Sequence, residues 1–296
     1  MQQHYPVMLG ESLDFLNVRP EGIYCDATAG LGGHSGAIAR RLTTGLVVAC
    51  DRDAESLEMA RENTRDCSAR IHFHQALFSQ LGEVLEAEGI AKLDGLVADL
   101  GVSRHQLTVG ERGFSFMADG PLDMRMSRSG PSSGLASGER TAADIVNFES
   151  EQELARLIFT LGEERRSRKI ARAIVRGRPI TTTGQLTKLI EGAAPRTGKL
   201  HPATQTFMAL RIAVNNELGE LDALLESIPK LVGAGGHAVV ISFMSLEDRR
   251  VKRSFQALAK ERRARLLTRH VVRPSVEEIR DNPPSRSAKL RAIELL

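Results

Sequence analysis

The chain has 296 residues and no apolar run of about 18 residues, so no membrane-spanning helix is expected. It does not open like a signal peptide, and its three cysteines lack C-x-x-C spacing, which predicts a cytoplasmic protein with reduced thiols and no metal site. The net charge of +3 is unevenly placed: residues 1–100 carry 8 Lys and Arg against 15 Asp and Glu, and residues 101–296 carry 32 against 22. The basic second part indicates a polyanionic partner.

The first hundred residues alternate short apolar runs with amphipathic segments, which is typical of βαβ units and a parallel sheet. The predicted strands are residues 22–27, 46–51, 70–75 and 93–100. The predicted helices are residues 35–42, 54–63 and 81–88. Ligands of such sheets bind beyond the carboxyl ends of the strands, so the polar residues that follow the strands are expected to converge on one crevice.

A glycine-rich turn follows the first predicted strand. Residues 26–34 read D-A-T-A-G-L-G-G-H, and Asp51 ends the next apolar run. Glycines let the backbone approach a ligand closely and an acid can hold ribose hydroxyls, so this pattern indicates a nucleotide-like cofactor. The dinucleotide pattern G-x-G-x-x-G fails because Ser35 stands three positions after Gly32. The remaining pattern, acid-x-x-x-Gly-x-Gly, resembles the first motif of S-adenosylmethionine-dependent methyltransferases, although Thr28 stands where that motif usually has another glycine.

The alternation of strands and helices stops after Gly101. Residues 101–138 are loop-like, and residues 141–195 show helical patterns only, with capping boxes at Ser150-x-x-Glu153 and Thr182-x-x-Gln185. A strand pattern returns at residues 235–243, followed by a helix near 251–260 and apolar runs at 264–272 and 289–295. We therefore predict a discontinuous α/β domain, residues 1–104 and 206–296, interrupted by an inserted all-helical domain at residues 105–205.

Motifs spread over nearly the whole chain resemble the family of 16S rRNA (cytosine N4)-methyltransferases, RsmH, also called MraW. The turn at residues 29–35 and the stretch D-G-L-V-A-D-L-G-V-S at 94–103 belong to this likeness. More specific are G-F-S-F at 113–116, L-D-M-R-M at 122–126 and S-L-E-D-R at 245–249. The chain departs from the family at Met244, where a histidine is usual, and at residues 104–105, where Ser-Pro is usual.

The resemblance implies a class I S-adenosylmethionine-dependent methyltransferase fold, which is Rossmann-like, with an inserted helical domain for substrate recognition. It also implies methyl transfer to the exocyclic N4 amine of a decoding-centre cytidine in 16S rRNA of the 30S subunit. The cofactor-binding residues expected from the matching positions are Gly32, Gly33, His34, Asp51, Phe78, Asp99 and Gln106. Asp99 and Asp123 are both candidate acceptors for the amine, and the sequence assigns no catalytic base.

Two basic segments are candidates for RNA contact. Arg165, Arg168 or Lys169, Arg172 and Arg176 recur at helical spacing, and residues 249–273 hold ten Lys and Arg with one acid. Such clusters favour phosphate contacts. The chain has no tryptophan and two tyrosines, so extended stacking on single strands is not expected, and recognition should depend on the shape of folded RNA with one base splayed out.

Three alternatives stay open at the level of sequence. A methyltransferase for DNA, protein or a small molecule would share the cofactor motif. A nicotinamide oxidoreductase is disfavoured by the missing third glycine. A non-catalytic RNA-binding protein would leave the polar residues at the strand ends unexplained. No obligate protein partner and no oligomeric state are indicated.

Overall fold

The chain folds into two units, which the computed structural model describes over residues 6–102, 110–127, 140–196 and 200–296. The sheet unit combines the residues up to Gly101 with Gly219–Leu296, and the helical unit spans Val102–Leu218. The helical unit thus interrupts the sheet unit in sequence, and the domain boundaries predicted at 105 and 205 fall inside it.

The sheet unit is built on seven strands in the order β3-β2-β1-β4-β5-β7-β6. They are β1 (Ile23–Asp26), β2 (Leu46–Asp51), β3 (Ile71–Gln75), β4 (Leu93–Asp99), β5 (Val232–Ser242), β6 (Ala264–Leu266) and β7 (Lys289–Leu295). β1 to β5 are parallel, while β7 runs antiparallel to β5 and β6. This order, with its antiparallel β7, is that of the class I methyltransferase fold that the resemblance implies. The four strands predicted in the first hundred residues are confirmed to within one residue at each end.

Twelve helices are described. In chain order they are α1 (Leu9–Leu16), α2 (Gly33–Ala39), α3 (Ala54–Asn63), α4 (Leu81–Ala87), α5 (Ala142–Phe148), α6 (Glu151–Gly162), α7 (Ser167–Arg176), α8 (Thr183–Ala193), α9 (Thr204–Asn215), α10 (Glu217–Leu231), α11 (Ser245–Lys260) and α12 (Val276–Asp281). Within the described ranges, none of them is both long and apolar enough to cross a membrane.

Helices cover both faces of the sheet. On one face Cys25, Val48 and Leu96 pack with side chains of α4, α10 and α11. On the other face Tyr24 and Val97 pack with side chains of α1, α2 and α3. Strands buried on both faces read as continuous apolar runs rather than as alternating patterns, which is why the sequence located them so closely.

The helical unit has its own core, formed by apolar side chains of α5 to α9. The capping box predicted for α8 is confirmed: Thr182 Oγ1 accepts from the Gln185 N–H at 3.3 Å and Gln185 Oε1 accepts from the Thr182 N–H at 3.3 Å. Ser150 Oγ caps α6 by accepting from the Glu153 N–H at 3.1 Å. The described residues of this unit contribute no strand to the sheet.

Candidate functional site

The strand order places a crevice at the carboxyl ends of β1 and β4. From β1 the chain proceeds outward to β2 and β3, and it then returns to place β4 on the other side of β1. Connections that leave neighbouring strands in opposite directions open a ligand crevice at this point. The glycine turn follows β1, Asp51 ends β2 and Asp99 ends β4, so these sequence-predicted residues lie on one edge of the sheet.

The glycines of the turn are required by the packing of the protein itself. Gly32 has φ of 85°, and a Cβ atom there would lie 2.9 Å from the Thr64 Cγ2 methyl group. A Cβ atom on Gly33 would lie 2.9 Å from Cβ of Pro6. Contacts this close force a shift of the neighbouring atoms, and positive φ is unfavourable for residues with a side chain. The sequence indicated a ligand role for these glycines, and the structure adds a packing role.

Asp51 joins the end of β2 to the glycine turn. Its Oδ2 accepts from the Gly30 N–H at 2.8 Å, and its Oδ1 accepts from the Asp53 N–H at 2.9 Å. Burial raises the pKa of the Asp51 carboxyl to about 6, the two N–H donors oppose this rise, and the neighbouring carboxylates of Asp53 and Asp26 add to it. A carboxylate oxygen has two lone pairs, so each Asp51 oxygen can still accept from a ribose hydroxyl.

A hydrogen-bond network joins β1 to β4 beneath the turn. The buried Asp26 accepts from Ser35 Oγ at 2.5 Å and from the Thr28 N–H at 3.1 Å. Thr28 Oγ1 accepts from the Asp99 N–H at 2.6 Å. The hydroxyl of Thr28 is therefore used where the usual motif has a glycine, a role that sequence reasoning missed because it links segments 71 positions apart.

Asp99 lies in an acidic part of the crevice. Its Oδ1 is buried and has no hydrogen-bond partner among the residues that the structure describes. Burial raises the pKa of the Asp99 carboxyl well above its ordinary value, and the carboxylates of Asp26, Glu247 and Glu278 raise it further. A carboxyl oxygen without a partner among other acids fits a cationic or hydrogen-bond-donating ligand group. Glu278 comes from α12, and nothing in its local sequence pointed to this position.

The other predicted cofactor residues are Phe78, His34 and Gln106. Phe78 opens a short 3-10 turn after β3 on the same edge of the sheet, half-buried against the core. His34 is buried in the first turn of α2. Gln106 lies outside the described residues, as do Arg104 and His105. The structure therefore joins Asp51 to the turn, and it joins Asp99 to Asp26 through Thr28.

Asp123, the second candidate acceptor for an amine, belongs to the helical unit. Its two oxygens accept from Nε and a terminal nitrogen of Arg125 at 2.7 and 3.0 Å. This bidentate pair occupies one acceptor position on each oxygen and balances the charge. Of the two candidates, Asp99 is the one with an oxygen that has no partner within the described ranges.

The two basic segments differ in how their charges are used. On and just before α7, Arg165, Arg168, Lys169, Arg172 and Arg176 are all exposed. Within the described part of the chain, only Arg172 of these five pairs with a carboxylate, Glu151 at 3.4 Å. In residues 249–273, Arg250, Arg263 and Arg265 pair with Asp222, Glu261 and Glu294. The α7 stripe, defined as those five residues, thus offers mostly uncompensated charge.

Comparison with known proteins gives the same family over the whole length. The chain matches the MraW methylase family over residues 1–296. The ribosomal RNA small subunit methyltransferase H of Solibacter usitatus is 59% identical over 292 residues, covering 99% of both chains. Proteins with that name from Acidobacterium capsulatum and Koribacter versatilis are 48% and 47% identical over 303 and 301 residues. They cover 99% and 98% of this chain and 98% and 93% of their own length.

Proposed function

The chain belongs to the MraW methylase family, and we propose that it methylates the exocyclic N4 amine of one decoding-centre cytidine in 16S rRNA of the small ribosomal subunit. It is an S-adenosylmethionine-dependent methyltransferase of the RsmH family. The observation that carries the proposed substrate is the 59% identity over 292 residues with a ribosomal RNA small subunit methyltransferase H. The basic surface of the helical unit supports it, because a polyanionic substrate needs positive charge.

The residues at the carboxyl edge of the sheet fit the cofactor. S-adenosylmethionine supplies an electrophilic methyl group on a positively charged sulfur. We assign its ribose hydroxyls to Asp51, whose oxygens each keep an acceptor position, and its adenine to the exposed part of Phe78. The main chain of Gly32, Gly33 and His34, together with Asp99 and Gln106, completes the proposed set.

The charge of the crevice favours this cofactor over a dinucleotide. Asp26, Glu247 and Glu278 lie close enough to raise the pKa of the Asp99 carboxyl, so the local potential is negative. A sulfonium with its amino-acid ammonium gains from this potential, whereas a pyrophosphate would be repelled. A pyrophosphate would also need main-chain donors, and the N–H of Gly30 already donates to Asp51.

The amine of cytosine is a weak nucleophile because its lone pair is delocalised into the ring. A hydrogen-bond acceptor that holds the N–H groups can align the lone pair with the methyl carbon. Positioning of this kind contributes strongly to the rate acceleration of enzymes. A carboxylate close to the amine also stabilises the positive charge that nitrogen gains during transfer. Asp99 is the proposed acceptor at the cofactor edge.

The experiment that tests the proposal is methyl transfer to 30S subunits that lack the native modification, with tritiated S-adenosylmethionine as donor. The labelled RNA is digested to nucleosides, and we expect the label in N4-methylcytidine from a single position. Label in another nucleoside, in ribosomal protein or only in free DNA would reject the proposed substrate and favour one of the alternative methyltransferases. Asp51→Ala serves as the control for cofactor dependence.

A further inference from the structure

Phe148, the last residue of α5, presents its aromatic ring to solvent. The residue is 80% exposed, whereas most large apolar residues of the helical unit lie in its core. A single exposed apolar residue is common on protein surfaces and carries little information alone. What distinguishes Phe148 is how its backbone is held and which charges surround it.

The backbone on both sides of Phe148 is fixed by side chains. Asn147 donates to the Ile180 carbonyl at 2.7 Å and accepts from the Ile180 N–H at 2.9 Å. Arg178 donates from Nε to the Val146 carbonyl at 2.7 Å and from a terminal nitrogen to the Glu149 carbonyl. These bonds satisfy carbonyls at the end of α5 and anchor the helix end. A ring on a fixed backbone loses little entropy when a ligand covers it, and this lowers the cost of binding.

Three guanidinium groups contact the chain close to Phe148 in sequence. Arg178 contacts carbonyl oxygens and, among the described residues, no carboxylate. Arg140 reaches Glu149 Oε1 at 2.7 Å, and Arg172 reaches Glu151 Oε1 at 3.4 Å. All three guanidiniums therefore contact groups that lie within three positions of Phe148 in sequence. Arg140 and Arg172 are thus paired with glutamates, and Arg178 is the one of the three whose charge has no carboxylate partner among the described residues.

We propose that Phe148, Arg140, Arg172 and Arg178 form a subsite for one unpaired nucleotide of an RNA substrate. The ring stacks on the base, and the guanidinium groups bind the adjacent phosphates. Stacking on an aromatic ring beside arginines is the general mode by which proteins hold unpaired bases. This subsite deepens the proposed function and rests on it for the identity of the substrate as RNA.

The absence of tryptophan from the chain provides a direct test. Phe148→Trp introduces one tryptophan at the proposed subsite, and Phe159→Trp introduces one at a second exposed phenylalanine, 58% exposed on α6. Each variant is titrated with a short oligocytidylate and with a blunt RNA duplex of the same length. In Phe148→Trp we expect the oligocytidylate to quench the indole fluorescence and to protect it from acrylamide, with a much smaller effect of the duplex. The fluorescence of Phe159→Trp should change little with either RNA.

Affinity variants give an independent measurement. Phe148→Ala should weaken oligocytidylate binding by roughly tenfold or more, the loss typical of one stacked base. Phe148→Tyr, which keeps the ring, should bind within about twofold of the original chain, since stacking needs only an aromatic face. Circular dichroism should show no change for either variant, because the ring lies outside the core.

Three outcomes would overturn the subsite. They are equal quenching of Phe148→Trp and Phe159→Trp, unchanged affinity of Phe148→Ala, and a fluorescence response of Phe148→Trp to ribosomal proteins but not to RNA. The last outcome would assign the surface to a protein partner.

Methylation of 30S subunits by the unsubstituted chain is measured in parallel, so that the subsite and the proposed function can fail separately. Formation of N4-methylcytidine together with unchanged RNA affinity of Phe148→Ala would reject the subsite alone. Quenching of Phe148→Trp by oligocytidylate without formation of N4-methylcytidine would reject the proposed base and keep the subsite.

Discussion

Two aspartates, at the ends of the strands that flank β1, have different surroundings. Asp51 receives a main-chain N–H on each oxygen, so its carboxylate is oriented before any ligand binds. Asp99 has its main chain fixed by Thr28, while its Oδ1 has no partner among the described residues and faces other acids. The first arrangement suits recognition of neutral hydroxyls, and the second suits a cationic or N–H-donating group.

Binding of S-adenosylmethionine should depend on pH through Asp51. The pKa of its carboxyl is raised to about 6 by burial. In the proposed complex, protonation removes an acceptor position that the ribose hydroxyls need. The association constant should therefore be constant above neutral pH and fall about tenfold for each pH unit below 6. Asp51→Ala should bind more weakly, by about 1.5–3 kcal/mol for each charged hydrogen bond lost, and should lose this pH step. Calorimetry across the pH range measures the association constant of both proteins. The same fall in the association constant below pH 6 in Asp51→Ala would assign the pH dependence to another group.

In the free protein the same raised pKa acts on stability. The folded state holds the Asp51 proton more tightly than the unfolded state does, because the pKa rises from 3.8 to about 6 on folding. The stabilising contribution of this group is therefore present below the ordinary pKa and is lost as the pH rises through about 6. Urea unfolding of the original chain and of Asp51→Ala, below pH 3.8 and above pH 6, measures how the free energy of unfolding of each protein changes with pH. The same change in both proteins would contradict a contribution of Asp51.

The Thr28 hydroxyl should stabilise the junction of β1 and β4. Thr28→Val removes the acceptor of the Asp99 N–H and leaves a partly buried donor unsatisfied, which costs about 1–3 kcal/mol. Thr28→Ser keeps the hydroxyl and should stay close to the original stability. Urea unfolding of the three proteins measures this difference. Equal midpoints for Val and Ser would show that the bond contributes nothing.

The four strands of the first hundred residues and the helices α2, α3 and α4 could be predicted from the sequence because their patterns are strong and local, whereas the long helices α9 and α10 were not assigned. The apolar runs of β2 and β4 mark strands covered on both faces. The helix α1 was missed, since it is bounded by Met8 and Asn17 in left-handed conformations that no local sequence pattern indicates. The site residues at the end of a strand, such as Asp51 and Asp99, could be predicted because the ends of parallel strands meet at one edge of the sheet. The contribution of Glu278 could not be predicted, because it depends on how a distant segment folds back.

The turn between β1 and α2 packs tightly against α3, and Gly32→Ala should reveal this. The new Cβ atom would lie 2.9 Å from Thr64 Cγ2 and 3.2 Å from Ala60, at a φ that alanine disfavours. We expect a loss of stability of about 1–3 kcal/mol, the range of overpacking and backbone strain. Adding Thr64→Ser removes the nearer methyl group and should recover part of the loss. Thermal unfolding without ligand measures both variants, and a stability of Gly32→Ala equal to that of the original chain would contradict the packing role.

The division of charge along the chain follows the division into units only in part, because residues 219–296 belong to the sheet unit and are also basic. The acids of the first hundred residues include Asp26, Asp51 and Asp99 at the carboxyl edge of the sheet, where they favour a cationic ligand. The excess of basic residues lies in the later segments, including the α7 stripe on the helical unit. Such a separation lets one chain attract a small cation and a polyanion to different surfaces.

The α7 stripe should account for a measurable part of RNA affinity. Replacing Arg165, Arg168, Arg172 and Arg176 with Gln removes four positive charges, and each lost phosphate contact should reduce the slope of log affinity against log salt by roughly one. The helix should persist, because Gln and Arg have similar helix propensity and the one ion pair lost, Arg172–Glu151, is exposed. Cofactor affinity should hardly change, since none of these residues belongs to the sheet unit.

A matched variant replaces Lys252, Arg253, Lys260 and Arg262, four exposed basic residues of the second segment, with Gln. Filter binding of deproteinised 16S rRNA at several salt concentrations, with methylation of 30S subunits alongside, compares the two variants at equal change in net charge. A larger loss of slope for the α7 variant would assign the phosphate contacts to the helical unit. If the α7 variant keeps the original slope and methylates normally, the stripe is a solvated helix face. A loss confined to the matched variant would place RNA binding on residues 249–273, because total charge is then excluded as the cause.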